Sequence, residues 1–333
     1  MSARSLLALL ALVVLALLVW ELRWVLLVLF GAVVLAVALD VPVTWLRRVT
    51  RLNRPVALVI VLALLGVGGW KLAVLLLPEL VEQANQLTEL VPALIARISQ
   101  LLGGVSPLDN VENQLMRFAT WDKLQPLGLQ LLGVAGGAAN GTIQLLLLVL
   151  LSLLLVLDPR SHQRLVLAVT PAPQRPLMGQ LLGECRQALG GWLAGMTISA
   201  TAVFLLTWAG LALLKVPLAL LSALVCGVLT FVPTIGPSLA TLLPLAVALV
   251  ISPALALQVL VLRLVLQNAE AFLLTPILLS QTVNLLPTVA LMAQLSLGVL
   301  LGLPGVLLAL PLVVVLQVLC QRVLVEQVMD RWS

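Results

Sequence analysis

Two uncharged segments of 35 residues constrain this chain more than any other feature of its sequence. They are Pro217–Ile251 and Leu286–Cys320, and neither contains Asp, Glu, Lys, Arg or His. About 20 helical residues cross the roughly 30 Å hydrocarbon core of a bilayer, whereas 35 would extend to about 52 Å. Each segment is therefore too long for one straight crossing and too apolar to lie in a soluble protein.

The composition of the whole chain supports a membrane location. Its 333 residues include 18 Lys and Arg and 13 Asp and Glu, so only 9% are charged, while 62% are hydrophobic and the mean hydropathy is +1.21. Soluble domains carry about 25% charged residues, and disordered chains have low hydrophobicity. These numbers exclude a soluble enzyme, a nucleic-acid-binding protein and a disordered chain, and they predict an all-α polytopic membrane protein.

Charged residues outside the apolar runs indicate the topology. Asp40–Arg54 and Asp158–Leu189 are predicted loops with an excess of arginine, and Pro78–Ala139 between them has an acidic excess. Because cytoplasmic loops collect Lys and Arg, this alternation places the N- and C-termini in the cytoplasm. The predicted organisation is N-terminal transmembrane helices (1–77), an extracytoplasmic amphipathic helical segment (78–139) and a transmembrane core (140–333).

The acidic segment begins with a heptad-like apolar pattern. Apolar residues alternate at spacings of four and three from Leu80 to Leu101, while Glu82, Glu89 and Arg97 lie off this seam. The spacing predicts an amphipathic helix. Two alternatives remain for its apolar face: contact with its own transmembrane helices or the membrane surface, or contact with another copy of the chain.

Both long apolar segments are broken near their middle by glycine and proline. The first contains Pro233, Gly236 and Pro237, and the second contains Gly302 and Gly305. Broken backbone at membrane depth is tolerated only where protein or a water-lined cavity satisfies its polar groups, and paired breaks in transporters mark binding sites. We predict two helical hairpins, the first opening from outside and the second from inside.

The segment between the hairpins, Ala254–Thr275, carries the most costly charge of the chain. A charge at the position of Arg263 costs roughly 2.5–3.5 kcal/mol on insertion scales. Gln267 and Glu270 follow at four and seven residues and share its helix face. This face forms a structural ion pair with a neighbouring helix, or lines a substrate or ion route, and the two interpretations can both hold. Gln281 and Gln294 add polar groups nearby in sequence.

Several classes of chemistry lack their motifs in this sequence. A phosphate-binding G-x-x-x-x-G-K-[ST] loop is missing, and the single histidine, His162, falls in a predicted cytoplasmic loop. Cys185, Cys226 and Cys320 are far apart and suggest neither a disulfide framework nor a zinc site. We expect no enzymatic activity, no cofactor, no metal and no nucleic-acid partner.

Motifs along the second half of the chain resemble a known family. The run from Pro217 through Phe231–Pro237 is similar to the "G-x-P-x-A-L … F-I-P-x-x-G-P" signature of the autoinducer-2 exporter family of bacterial membrane transporters. The block from Gln267 through Pro276 to Pro287 resembles its "Q-x-x-E-x-x-x-L-x-P … V-x-L-x-P" signature. Gly298–Pro311 resembles its closing "G-x-x-x-G-x-x-G-x-x-x-A-x-P" block.

This resemblance implies a multi-pass protein of the bacterial inner membrane. It implies about eight transmembrane spans, a homo-oligomer, and secondary transport that exports a small polar molecule. Some relatives are associated with sodium/proton antiport, so antiport in which Glu270 binds the ions is the alternative. A membrane scaffold without transport is a further alternative.

The predicted partners are a small-molecule or ion substrate and the lipid bilayer. The predicted substrate- or ion-binding residues are Pro233, Gly236, Pro237, Arg263, Gln267, Glu270, Pro276, Gln281, Gln294, Gly302 and Gly305.

Overall fold

The fold is all-helical, as predicted. A computed structural model describes residues 10, 13–14, 17–101, 138–232, 235–274 and 286–323. No strand occurs among these residues. Their helices are α1 (Arg23–Thr50), α2 (Arg54–Leu101), α3 (Ala138–Leu157), α4 (Pro159–Val169), α5 (Arg175–Leu213), α6 (Ala219–Leu229), α7 (Ile235–Ile251), α8 (Pro253–Ala269) and α9 (Pro287–Leu319). A 3₁₀ turn, Ala172–Gln174, precedes α5, and a π-helical turn, Glu270–Leu274, follows α8.

Five helical stretches within the described part of the chain are long and apolar enough to cross a membrane. The number rises to six if α3 and α4, which are bent by 91° at their junction, form one span. Apolar side chains such as Leu64, Val67 and Leu75 lie exposed on the outer surface of α2, as expected for a helix that faces lipid. The chain is thus a multi-pass membrane protein, whereas the figure of about eight spans stays a prediction.

The predicted loop Asp40–Arg54 is mostly helical, which corrects the sequence interpretation. Residues 40–50 form the last turns of α1, the C-cap Arg51 has φ 57°, and only residues 51–53 are non-helical. Arg47 and Arg48 lie in the last turn, where cations interact favourably with the helix dipole. The arginine excess therefore marks the end of a helix, and the side of the membrane on which this end lies stays a prediction.

Helix α2 continues without a break across the predicted boundary at residues 77 and 78. Its described length includes Pro78 and Pro92 and ends at Leu101, so the amphipathic segment begins as the continuation of a membrane-spanning helix. Residues 102–137 lie outside the described residues. The division of the chain at 77 and 139 stays a prediction.

The amphipathic part of α2 packs on the protein's own transmembrane helices. Leu87 and Leu90 contact the apolar cluster around Leu211. Gln83 accepts a hydrogen bond at its Oε1 from the backbone N–H of Leu221, at 2.8 Å. These contacts correspond to the alternative in which this helix face lies on the chain's own transmembrane helices.

The corner between α3 and α4 is fixed by a helix cap. Asp158 accepts hydrogen bonds from the Ser161 backbone N–H at 3.2 Å and from the Ser161 hydroxyl at 2.6 Å. These bonds hold the pKa of the exposed Asp158 carboxyl below its usual value. Beyond the corner, α4 exposes Leu165 and Val169, a surface suited to a membrane interface.

Helix α5 is the centre of the bundle. It contains 39 residues and is about 58 Å long. It packs against α1, α4, α6, α8 and α9. Both broken segments contact α5. The position of each segment in the bundle is therefore given by the α5 residues that it contacts.

Candidate functional site

The first broken segment is a pair of antiparallel helices, α6 and α7, which we call the first hairpin. The thiol of Cys226 in α6 donates to the carbonyl oxygen of Ala240 in α7, at 3.3 Å. Where the chain turns, a Cβ on Gly236 would overlap the carbonyl oxygen of Leu229. Only glycine allows so close an approach of two backbone segments, which explains why the break contains this residue.

The second broken segment also folds back on itself, and we call α9 the second hairpin. Gly302 has φ 65° and ψ −150°, a conformation that favours glycine. A Cβ on Gly305 would overlap the carbonyl oxygen of Leu297, eight residues earlier. In a straight helix residues eight apart are separated by about 12 Å. The chain therefore reverses its direction at Gly302.

The first hairpin runs along α5 from its C-terminal end towards its middle. Leu218, at the start of α6, packs in one cluster with Leu211 of α5. Gly227 lies against Ala200 and Phe204 of α5, about two turns nearer the middle. The closed end of the first hairpin is therefore farther from the C-terminal end of α5 than its open end is.

The second hairpin approaches α5 from the opposite end. Arg322, just beyond α9, forms a bidentate ion pair with Glu184 of α5 at 2.6 and 2.8 Å. Leu310 and Val314 of α9 pack in the cluster that contains Met196 of α5. The second half of α9 therefore runs antiparallel to α5, and the open end of this hairpin lies near Glu184.

The two hairpins meet beside the middle of α5. Phe231, at the turn of the first hairpin, packs against an apolar cluster. This cluster contains Trp192 and Met196 of α5 and Ala290 of the second hairpin. We call the α5 residues Trp192, Met196 and Ser199 the meeting region. The side of the membrane to which each hairpin opens stays a prediction.

Arg263 lies away from the meeting region and bonds to neutral hydroxyls. The side chain is 2% exposed. Its Nη1 donates to the Thr207 hydroxyl at 2.9 Å, and its Nε donates to the Thr241 hydroxyl at 3.3 Å. Among the described residues it forms no ion pair. The guanidinium thus joins α8 to α5 and α7 through hydrogen bonds.

Gln267 strengthens the same connection one turn later. Its Nε2 donates to the carbonyl oxygen of Pro237 at 2.8 Å and contacts the Thr241 hydroxyl at 3.1 Å. We call Arg263, Gln267, Pro237, Thr207 and Thr241 the Arg263 cluster. It fixes the second helix of the first hairpin to α8.

Glu270 bonds to the meeting region rather than to the Arg263 cluster. Its Oε1 accepts a hydrogen bond from the Ser199 hydroxyl at 2.8 Å. Ser199 and Thr207 are eight residues apart on α5, or about 12 Å along its axis. Glu270 also begins the π-helical turn Glu270–Leu274, a feature that is frequent at functional sites. The predicted polar face of α8 is therefore divided between two locations.

Gln294 is a buried amide whose polar atoms have no hydrogen-bond partner among the described residues. The residue is 2% exposed, and within this part of the chain both Nε2 and Oε1 are unpaired. It lies one turn after Ala290, which packs in the cluster with Trp192 and Met196. An unpaired buried polar group costs about 1–3 kcal/mol, so an amide at this position needs an explanation.

The structure brings some of the predicted residues together and separates others. Pro237, Arg263 and Gln267 lie in one cluster, while Glu270 and Gln294 lie near the meeting region. Gly236, Gly302 and Gly305 shape the two turns. Pro233, Pro276 and Gln281 lie outside the described residues. A role in binding for these eleven residues stays a prediction.

Sequence reasoning missed the hydroxyl groups that bind the polar face of α8. Ser199 and Thr207 are separated by eight residues and so lie on the same side of α5. This spacing could have predicted a polar face on α5. It was not sufficient, because Ser and Thr hydroxyls in transmembrane helices commonly bond to the backbone of their own helix. No group of three or more His, Cys, Asp or Glu side chains that could hold a metal ion occurs within the described ranges.

Comparisons with known proteins agree with the motifs. The family model described as "AI-2E family transporter" matches residues 7–324. A proposed transport protein of Synechocystis, sll0063, is 28% identical over 302 residues, covering 86% of this chain and 74% of its own. A second, sll0060, is 25% identical over 289 residues, covering 83% and 82%. The Bacillus subtilis proposed transport protein YrrI is 26% identical over 165 residues, half of this chain and 47% of its own length.

Proposed function

Since the chain belongs to the AI-2E transporter family, we propose that it is a secondary transporter that exports a small polar molecule across the bacterial inner membrane. A membrane transport role follows from the family and from the multi-pass fold. The cargo, the direction and the gradient or facilitated flow that drives transport are parts of the proposal. So is the homo-oligomer that the family resemblance implies.

The observation that carries this proposal is the unpaired amide of Gln294 beside the meeting region. Two donors and an acceptor are buried without a partner in the described part of the chain. The carboxylate of Glu270, which follows α8, bonds to the hydroxyl of Ser199 on α5. A polar cargo, or water that occupies its route, would supply the hydrogen bonds that the protein leaves unmade.

The opposed hairpins suggest how such a site opens to one side at a time. The first hairpin reaches the middle of α5 with its turn, at Phe231, and the second hairpin reaches it with both arms, at Ala290 and Leu310. The two hairpins approach this part of α5 from opposite ends. Because the Arg263 cluster fixes α7 to α8, we expect the first hairpin to move together with α8. Displacement of this unit from α5, followed by displacement of the second hairpin, would expose the meeting region alternately.

The charge of Arg263 favours an anionic or diol-rich cargo. Its described partners are neutral, so its positive charge is not balanced by a neighbouring carboxylate. A positive charge in a medium of low dielectric attracts anions over a longer distance than it does in water. Arg263 binds Thr207, which lies about two helical turns from Ser199 on α5. In this proposal it therefore attracts the cargo through its electric field and holds the first hairpin through its hydrogen bond to Thr241.

Sodium/proton antiport is the second candidate, and the surroundings of Glu270 favour it. Its carboxylate bonds to the Ser199 hydroxyl and forms no ion pair with a described residue. A carboxylate without a fixed cation can exchange a proton for a sodium ion. The Glu270→Gln variant in proteoliposomes tests this directly. Sodium-driven proton movement that is unaffected by the substitution would contradict the antiport alternative.

Export is tested with purified protein in proteoliposomes and a panel of small polyols and carboxylates that includes autoinducer-2. Gln294→Leu should abolish transport of the active cargo, because the amide is replaced by an apolar group of similar size. Gln258→Leu is the matched control, since Gln258 is exposed on α8 and the same atoms are changed. Equal transport by both variants would contradict the role of Gln294.

A further inference from the structure

A cavity lined by arginine lies at the corner between α3 and α4, on the side of the bundle that holds the basic helix ends. Its volume is about 440 Å³, within the range of small-molecule sites. The guanidinium-bearing residues that line it are Arg47, Arg54, Arg160 and Arg186, contributed by α1, α2, α4 and α5. We call this the arginine cavity, and it is separate from the meeting region and from the Arg263 cluster.

The arginine cavity keeps a positive charge after its acidic neighbours are counted. Arg54 and Arg186 both pair with Asp40, a carboxylate on α1. Asp158 also lines the cavity, but its oxygens are occupied by Ser161 at the cap of α4. Four arginines against these two carboxylates leave a net charge of +2. The cavity therefore favours an anion with several acceptor oxygens, such as a phosphate group.

An apolar groove continues from the arginine cavity. It has a volume of about 220 Å³ and shares Arg54 and Arg186 with the cavity. Its remaining wall includes Val33, Val37 and Leu182. Val33 and Val37 precede Asp40 on α1 by one to two turns, so the groove leads from the charged helix ends towards the apolar part of the bundle.

The position of α4 places the arginine cavity at the depth of a membrane interface. The helix leaves α3 at 91° and exposes Leu165 and Val169. A helix with such an apolar face lies in the plane of the interface, where lipid headgroups are found. For α4 in this position, we expect Arg160 to reach the cavity at headgroup depth and the groove to reach acyl-chain depth.

We propose that this cavity and groove bind one anionic phospholipid. The phosphate group contacts the four arginines, and the beginning of an acyl chain lies against Val33 and Val37. Basic pockets between transmembrane helices on the cytoplasmic side recognise anionic headgroups by the same chemistry. A free phosphate ion would satisfy the arginines but leave the groove empty, so the groove favours a lipid. The bound lipid would join α1, α2, α4 and α5.

The test uses the purified full-length protein in detergent and measures binding of phosphatidylglycerol by native mass spectrometry, with phosphatidylcholine as the neutral lipid. The double variant R47Q/R160Q removes two arginines that lie outside the Asp40 ion pairs. The matched control R48Q/R164Q removes two exposed arginines from the same helices that do not line the cavity. Both variants change the net charge equally.

We expect phosphatidylglycerol to bind the wild type and R48Q/R164Q with equal affinity and to bind R47Q/R160Q about thirtyfold more weakly, equivalent to about 2 kcal/mol. Equal weakening in both double variants would show general electrostatic attraction and overturn the proposal. Binding of phosphatidylcholine as strong as that of phosphatidylglycerol would also overturn it. So would inorganic phosphate that displaces the lipid at equimolar concentration, because the groove would then contribute nothing.

Discussion

The two hairpins differ in what holds them. The first is fixed to its neighbours by polar side chains, since Arg263 and Gln267 bond to Thr241 and to the Pro237 carbonyl. The second turns at Gly302, packs through apolar residues, and buries Gln294 with its amide unpaired. The first hairpin thus uses its polar groups for its own structure, whereas the second leaves a polar group available.

This contrast separates stability from function within one membrane domain. A polar side chain that is bonded within the protein stabilises the fold, and its removal should be costly. One that is buried without a described partner lowers stability, and its presence calls for an explanation such as a ligand or an ordered water. Ser222 in the first hairpin is also a buried hydroxyl that finds no partner among the residues the structure describes. An amide carries more donors and acceptors than a hydroxyl, so the contrast between the hairpins remains.

The largest effect should come from the turns, where the two hairpins should behave alike. Gly236→Ala and Gly305→Ala each place a Cβ onto a backbone carbonyl oxygen, which cannot move as a side chain does. We expect each to lower the free energy of unfolding by more than about 3 kcal/mol, or to prevent folding. Denaturant unfolding followed by circular dichroism in detergent measures this.

Gly302→Ala is the control for these two substitutions. The position has open space around it but a positive φ of 65°. The cost should therefore be backbone strain alone, about 1–3 kcal/mol. A cost for Gly302→Ala that exceeds that of Gly305→Ala would contradict the close packing of the second hairpin's two arms.

The next effect distinguishes the hairpins. Gln267→Leu removes the hydrogen bonds that fix the first hairpin to α8, at 2.8 and 3.1 Å. We expect it to lower the free energy of unfolding by about 1–2 kcal/mol, because the Pro237 carbonyl and the Thr241 hydroxyl each lose a donor. The same unfolding assay measures this, and an unchanged free energy of unfolding would show that the two Gln267 bonds do not stabilise the first hairpin.

Ser199→Ala should have a smaller effect on stability. It removes the one hydrogen bond between Ser199 and the Glu270 carboxylate. We expect the same unfolding assay to show a loss of about 1 kcal/mol, because the carboxylate loses its hydroxyl donor.

The smallest effect on stability should come from Gln294→Leu. Replacement of an unpaired buried amide by a leucine should leave the free energy of unfolding unchanged or raise it by about 1 kcal/mol. Loss of stability by 2 kcal/mol or more would show that Gln294 has partners within the fold. The contrast with Gln267→Leu, which makes the same chemical change, is the strongest stability test of the difference between the hairpins.

The sequence allowed prediction of the helical class and of the residues that break the long apolar segments. Glycine at positions 236, 302 and 305 has few alternatives where backbones approach closely or φ is positive. Long-range partners could not be predicted in the same way. Asp40 pairs with Arg186, 146 residues later, and such a pairing depends on how helices are arranged rather than on local pattern.

The division of the polar face of α8 was also beyond the sequence. Arg263, Gln267 and Glu270 share one helix face, and spacing alone gives no reason to separate them. Their separation follows from α5, which presents Thr207 to Arg263 and Ser199 to Glu270. The neighbour's hydroxyls, rather than the helix that carries the charges, determine which residue reaches the meeting region.

Thiol accessibility tests the central claim most directly. Gln294→Cys and Gln267→Cys are compared in a chain in which Cys185, Cys226 and Cys320 are replaced, using a small membrane-impermeant thiol reagent on proteoliposomes. If Gln294 faces a hydrated route and Gln267 is committed to the fold, Gln294→Cys should be labelled at least tenfold faster, and transported cargo should slow that labelling. Faster labelling of Gln267→Cys, or no labelling of Gln294→Cys from either side of the membrane, would contradict the assignment of the two hairpins.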